Sequence, residues 1–121
     1  EPLVLGLDFY KKAIELEKKY ADGKVIHNTL QTNGTLISYD YADFFRENNF
    51  LLGISIDGPQ DIHDKFRKDK GGFPTFERVM KGLQILRRCG VEFNTMSTVN
   101  KASEDNHRTI VKDGIHRDTK E

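Results

Sequence analysis

What most constrains this 121-residue chain is a parity split within the short apolar run at 51–56. In an extended segment successive side chains point to opposite faces, so Leu52, Ile54 and Ile56 share one side. Gly53 and Ser55, with Asp57 just past the end, share the other. A parallel strand buried on both faces favours unbroken apolar residues. An aliphatic side for helices and a small, polar side suit a barrel strand near its mouth better than an open doubly wound sheet.

The segments around this strand complete an alternating series. Leu7, Tyr10 and Ile14, with Ala13, Leu16 and Tyr20 beside them, predict an amphipathic helix over 7–21 that Asp22-Gly23 stops. The β-branched pair Val25-Ile26 predicts a strand over 25–32, closed by Asn33-Gly34. Ser38 is a plausible cap for a second helix that buries Tyr41, Phe44 and Phe45 and ends at Asn48-Asn49. The polar segment 57–74 reads as one long connection, and connections of that length are commonly functional. Thr75 can cap a third helix with a stripe of Phe76, Val79, Met80, Leu83 and Leu86, and a strand follows over 92–99.

Strands separated by single helices lie parallel, which gives an α/β class with right-handed crossovers. Polar groups recur where each strand ends: Thr32-Asn33-Gly34, Ser55 to Gly58, and Thr98 to Asn100. Ligands of parallel α/β folds bind at those carboxyl ends, so three such clusters suggest one site. Each cluster singly is also ordinary turn chemistry.

Charge and cysteine content narrow the partners. Nineteen Lys and Arg balance nineteen Asp and Glu, so no net field favours nucleic acid or an anionic membrane. No apolar stretch reaches the roughly 20 residues of a membrane span, nor does the start resemble a secretion signal. The single cysteine, Cys89, can form neither an internal disulfide nor a multi-cysteine metal site. Together these predict a cytoplasmic protein. His27, His63, His107 and His116 lack metal-ligand spacing and read as structural or exposed, and Cys89 reads as a buried small hydrophobe.

Four motifs in order carry a family resemblance: Glu1-Pro2, the run Thr-Leu-Gln-Thr-Asn-Gly-Thr at 29–35, Gly-Ile-Ser-Ile-Asp-Gly-Pro at 53–59, and His63-Asp64-Lys65-Phe66-Arg67. Over about residues 1–100 the chain resembles radical S-adenosylmethionine enzymes, in particular the anaerobic sulfatase-maturating branch. That resemblance implies an α/β fold, a fragment of a partial (β/α)6 TIM-type barrel with parallel strands, whose mouth holds a 4Fe-4S cluster and S-adenosylmethionine. It implies radical oxidation of a sulfatase active-site Cys or Ser to formylglycine, with a sulfatase peptide and an electron donor as partners.

Residue by residue, the resemblance assigns the region of Glu1 to the amino end of the cofactor, Ser55 to a hydrogen bond with it, and Arg67 to its carboxylate. A permanently charged planar fork suits the last task. Asn33 and Asp57 belong to the same mouth by position. Without the resemblance, Ser55 could equally be a small packing residue and Arg67 part of a solvated charge run.

The chain departs from that family in having no Cys-x-x-x-Cys-x-x-Cys, the three thiolates that hold three irons. It therefore reads as an internal fragment in which 1–100 are the central part of the barrel and 101–121 a divergent or truncated polar tail with a weak stripe of Ile110, Val111 and Ile115. By itself it is expected to be catalytically inactive. Two other readings stand beside this one: a non-enzymatic α/β nucleotide- or anion-binding module using the same strand ends, and a non-functional remnant.

Overall fold

A computed structural model describes residues 1–106. A short 3-10 helix, Pro2–Leu5, leads into α1 (Leu7–Tyr20), then β1 (Thr29–Thr32), α2 (Tyr39–Glu47), β2 (Leu51–Ser55), α3 (Gln60–Phe66), α4 (Phe76–Cys89), β3 (Phe93–Met96) and a 3-10 helix, Lys101–Asn106. The three strands form one parallel sheet in the order β1-β2-β3. The class is α/β, as the alternation requires. The stripe expected from Ile110 onward lies outside the described residues.

The parity split sets the layers. Leu52 and Ile54 are fully buried and Ile56 nearly so, in one apolar cluster with Tyr10 and Ile14 of α1, Phe44 and Phe45 of α2, and Val79, Leu83 and Leu86 of α4. Tyr41 stacks on Phe45 at 5.6 Å between ring centroids, and Tyr10 meets both rings edge-on. On the opposite face a Cβ added to Gly53 would meet Met96 Sδ at 3.2 Å and Gln31 Cγ at 3.7 Å, so small size there accommodates the neighbours on both flanking strands.

Three local expectations change. β1 does not begin at Val25: Thr29 pairs with Leu51, and the Leu51 amide donates to the Asn28 carbonyl. Before β2 the chain turns through Asn49 at φ 55°, so 25–27 have no neighbouring strand, and Val25 and Ile26 stay exposed despite their propensity. The connection 57–74 contains α3, started after Pro59. Thr75 flanks α4, but its side chain does not cap it; Asp64 Oδ1 accepts the Thr75 and Phe76 amides at 3.1 and 2.9 Å instead. Ser38 does cap α2, accepting the Tyr41 amide at 3.2 Å.

Two glycines fix how α4 approaches the rim. Gly34, at φ 79°, sits where a Cβ would lie 3.0 Å from Ile54 and 3.1 Å from Val79. A Cβ on Gly82 would lie 2.7 Å from the Gly34 carbonyl oxygen. A methyl at Gly82 would collide with backbone, and one at Gly34 would press on two core side chains from a positive φ that favours glycine.

Candidate functional site at the carboxyl rim of the sheet

At the end of β1 the carboxylate of Glu1 fastens the N-terminal segment to the strand. Oε1 accepts from the Leu3 amide at 3.1 Å and the Thr32 hydroxyl at 2.6 Å, and Oε2 accepts the Asn33 amide at 2.8 Å. Asn33 Oδ1 in turn accepts from the Thr35 amide and hydroxyl at 3.0 and 2.8 Å, an Asx turn that shapes the rim. The Tyr10 and Tyr41 hydroxyls donate to the Pro2 and Leu3 carbonyls, each at 2.6 Å, and burial raises both phenol pKa values. The same segment is thus held from the core as well.

At the end of β2 the polar face delivers Ser55 and Asp57, both buried. Gln31 Nε2 lies 3.5 Å from Ser55 Oγ, a long donor contact from the neighbouring strand. Asp57 pairs with Arg67 in a fork: Nε donates to Oδ2 at 2.7 Å and Nη2 to Oδ1 at 3.3 Å, while the Thr98 amide past β3 also donates to Oδ1 at 2.9 Å. The Asp57 side chain is 3% exposed and that of Arg67 29%. The carboxylate holds one edge of the guanidinium and leaves Nη1 outside the pair.

α3 brings Arg67 back to Asp57. The Arg67 amide donates to the His63 carbonyl at 2.8 Å, closing the helix, and His63 is completely buried. Its Nδ1 accepts the Asp57 amide at 3.2 Å, and its Nε2 lies 3.0 Å from Thr75 Oγ1, whose hydroxyl donates to the Arg67 carbonyl. Since Nδ1 is an acceptor, the ring proton sits on Nε2. Burial lowers the His63 pKa, outweighing the upward pull of Asp57 and Asp64, in keeping with a neutral ring.

A cavity of about 260 Å³ opens beside this rim, lined among others by Asn33, Thr35, Phe66, Arg67 and Lys68. The fold thus gathers Glu1, Asn33, Asp57 and Arg67 at one end of the sheet, with Ser55 one strand position inside. His63 and Thr75 were not singled out by sequence for this region; the signal available was spacing, since His63 and Arg67 at i and i+4 share a helix face.

Cys89 lies at the C-terminus of α4, before β3 begins, with its carbonyl 3.4 Å from Arg46 Nη1. That is the opposite end of the strands from Asp57. Burial raises the thiol pKa. No group of three or more His, Cys, Asp or Glu among the described residues could hold a metal. Among the described residues, therefore, no donor set fits an iron-sulfur cluster. No helix among the described residues is long and apolar enough to cross a membrane.

The sequence profile described as the radical SAM superfamily matches residues 1–113. The chain belongs to this superfamily. It is 56% identical over 100 residues to a serine-type anaerobic sulfatase-maturating enzyme of Bacteroides thetaiotaomicron, a match covering 83% of this chain and 24% of the relative. To a cysteine-type enzyme of Clostridium novyi it is 46% identical over 102 residues, covering 84% and 27%. The solved structure described as native anSMEcpe with bound AdoMet superposes with a TM-score of 0.93 at 39% identity, over 98% of this radical SAM chain and 33% of that one. The chain thus spans about a quarter of the length of these curated relatives, and its sheet matches part of the family's partial TIM barrel.

Proposed function

We propose that this chain forms the S-adenosylmethionine-facing rim of an anaerobic sulfatase maturase. The observation that carries the reading is the Arg67 guanidinium, fixed along one edge by buried Asp57 and lining a rim cavity with Asn33. It is supported by the close match to an AdoMet-bound chain. In this reading Arg67 meets the cofactor carboxylate, Ser55 and Asn33 supply polar contacts, and the backbone around Glu1 faces the amino end, its carboxylate being engaged by Leu3, Thr32 and Asn33. Asp57, at the same mouth, orients Arg67.

Bound there beside a reduced cluster, S-adenosylmethionine would supply the radical that begins, by abstracting one hydrogen atom, the oxidation of a sulfatase Cys or Ser to formylglycine, the second electron passing to another acceptor of the enzyme. With one cysteine, these 121 residues cannot ligate that cluster by themselves. The cluster belongs to another part of such an enzyme, and a sulfatase peptide and an electron donor are its partners, in a reducing, cytoplasmic setting. The decisive experiment is a chimera in which this chain's residues replace the matched 100-residue stretch of the Bacteroides relative. Reconstituted anaerobically, it should bind S-adenosylmethionine in calorimetry, and Arg67→Ala should weaken binding at least tenfold. Undiminished affinity in the variant rejects the role of Arg67, and no binding by the unsubstituted chimera rejects the rim itself.

A further inference from the structure

The Asp57–Arg67 pair is fastened largely through one residue, His63, by its ring and by its backbone carbonyl, with the Thr98 amide as a further donor to Asp57. The Asp57 backbone is held through its amide on His63 Nδ1. The Arg67 backbone is held at both ends of its residue: its amide on the His63 carbonyl, and its carbonyl on the Thr75 hydroxyl that His63 Nε2 orders. The ring is completely buried, 5.5 Å from Phe76 and edge-on to it. A buried polar ring is costly unless both nitrogens are satisfied, and here Nδ1 meets Asp57 directly while Nε2 reaches Arg67 through Thr75.

We propose that His63, acting through Thr75, is a positioning residue that sets the angle at which Arg67 presents its free edge to the cofactor. The assignment rests on the reading of Arg67 given above. It goes further in placing control of that contact in a relay whose ring is completely buried and whose Thr75 also lines the rim cavity. The relay runs in one direction: the Asp57 N–H donates to Nδ1, Nε2–H donates to Thr75 Oγ1, and Thr75 O–H donates to the Arg67 carbonyl. Reversing the tautomer would set two donors against each other at Asp57. Asp57, Asp64 and Arg67 are the charged groups that act on the ring, while Thr75 and, from α4, Phe76 pack against it. A neutral, directional ring is thus the form this surrounding accepts.

Two measurements test this separately. In the 121-residue chain with 15N-labelled histidine, long-range proton–nitrogen correlations at pH 7.5 should show His63 protonated on Nε2 alone; a proton on Nδ1 overturns the relay, whatever the chain binds. In the reconstituted chimera, Thr75→Val keeps the shape and removes the hydroxyl, whereas Thr75→Ser keeps the hydroxyl. Measured by calorimetry well below the melting temperature of each variant, the dissociation constant for S-adenosylmethionine should rise at least tenfold in Thr75→Val and stay within twofold in Thr75→Ser. Equal affinity in the two variants overturns the positioning role, because a purely structural hydroxyl would alter melting and leave binding unmoved. If the unsubstituted chimera fails to bind, it is the rim reading that falls, and the tautomer still decides the relay.

Discussion

The two rims at the ends of β1 and β2 each centre on one carboxylate that accepts three hydrogen bonds, yet they are built on opposite principles. Glu1 accepts only neutral donors, two amides and a hydroxyl, from residues close to the strand it fastens. Asp57 accepts two bonds from a guanidinium and one from an amide 41 residues downstream, and its own amide rests on an imidazole. The first arrangement clips a segment down locally. The second couples β2, α3, α4 and the chain beyond β3, so a disturbance at any of them reaches Arg67. A site needing one rigid wall and one tunable charge would be divided in this manner.

The comparison breaks most visibly at Asp57. Replacing it with alanine leaves a partly buried guanidinium and the Thr98 amide without their acceptor. The expected loss in urea unfolding is about 2–3 kcal/mol. A loss below about 0.5 kcal/mol would show the pair to be no stronger than a surface one. Acid should act on the same rim. Burial depresses the His63 pKa, so the unfolded state binds the proton more readily; stability is full above the ordinary value of about 6.5 and drains as pH falls from there through the folded-state value. Thermal melts between pH 7.5 and 5 should fall, and His63→Gln should flatten that slope; an unchanged slope in the variant would place the sensitivity elsewhere. The smallest effect belongs to Glu1→Gln, which keeps an acceptor for two of the three donors: about 1 kcal/mol or less, read as faster hydrogen exchange at the Asn33 amide with Arg67 unaffected.

The β2 rim was more legible in sequence than its internal connections. Gly53, Ser55 and Asp57 follow from strand periodicity alone, and the structure places their side as read. Ser38 capped its helix as its chemistry predicts. Residues 57–74 misled because α3 has only seven residues and a mixed, largely polar face, too little for periodicity to register. Thr75 had a cap residue's identity and position, but its hydroxyl was claimed by His63 and Arg67 while Asp64, distant in sequence, took over the amides. Val25-Ile26 failed for a different reason: local preference makes no strand where no neighbouring backbone is available to pair. Apart from the short α3, what remained hidden was long-range, a partner whose identity only the folded chain supplies.

The meeting of Gly34 with Gly82 has a practical corollary for engineering. The two positions behave as a single joint: alanine at Gly82 would drive a methyl into the Gly34 carbonyl and lever α4 off the turn that presents Asn33. Anyone grafting this binding edge onto another scaffold must carry both glycines together, since either one alone leaves the graft with its hinge pin missing.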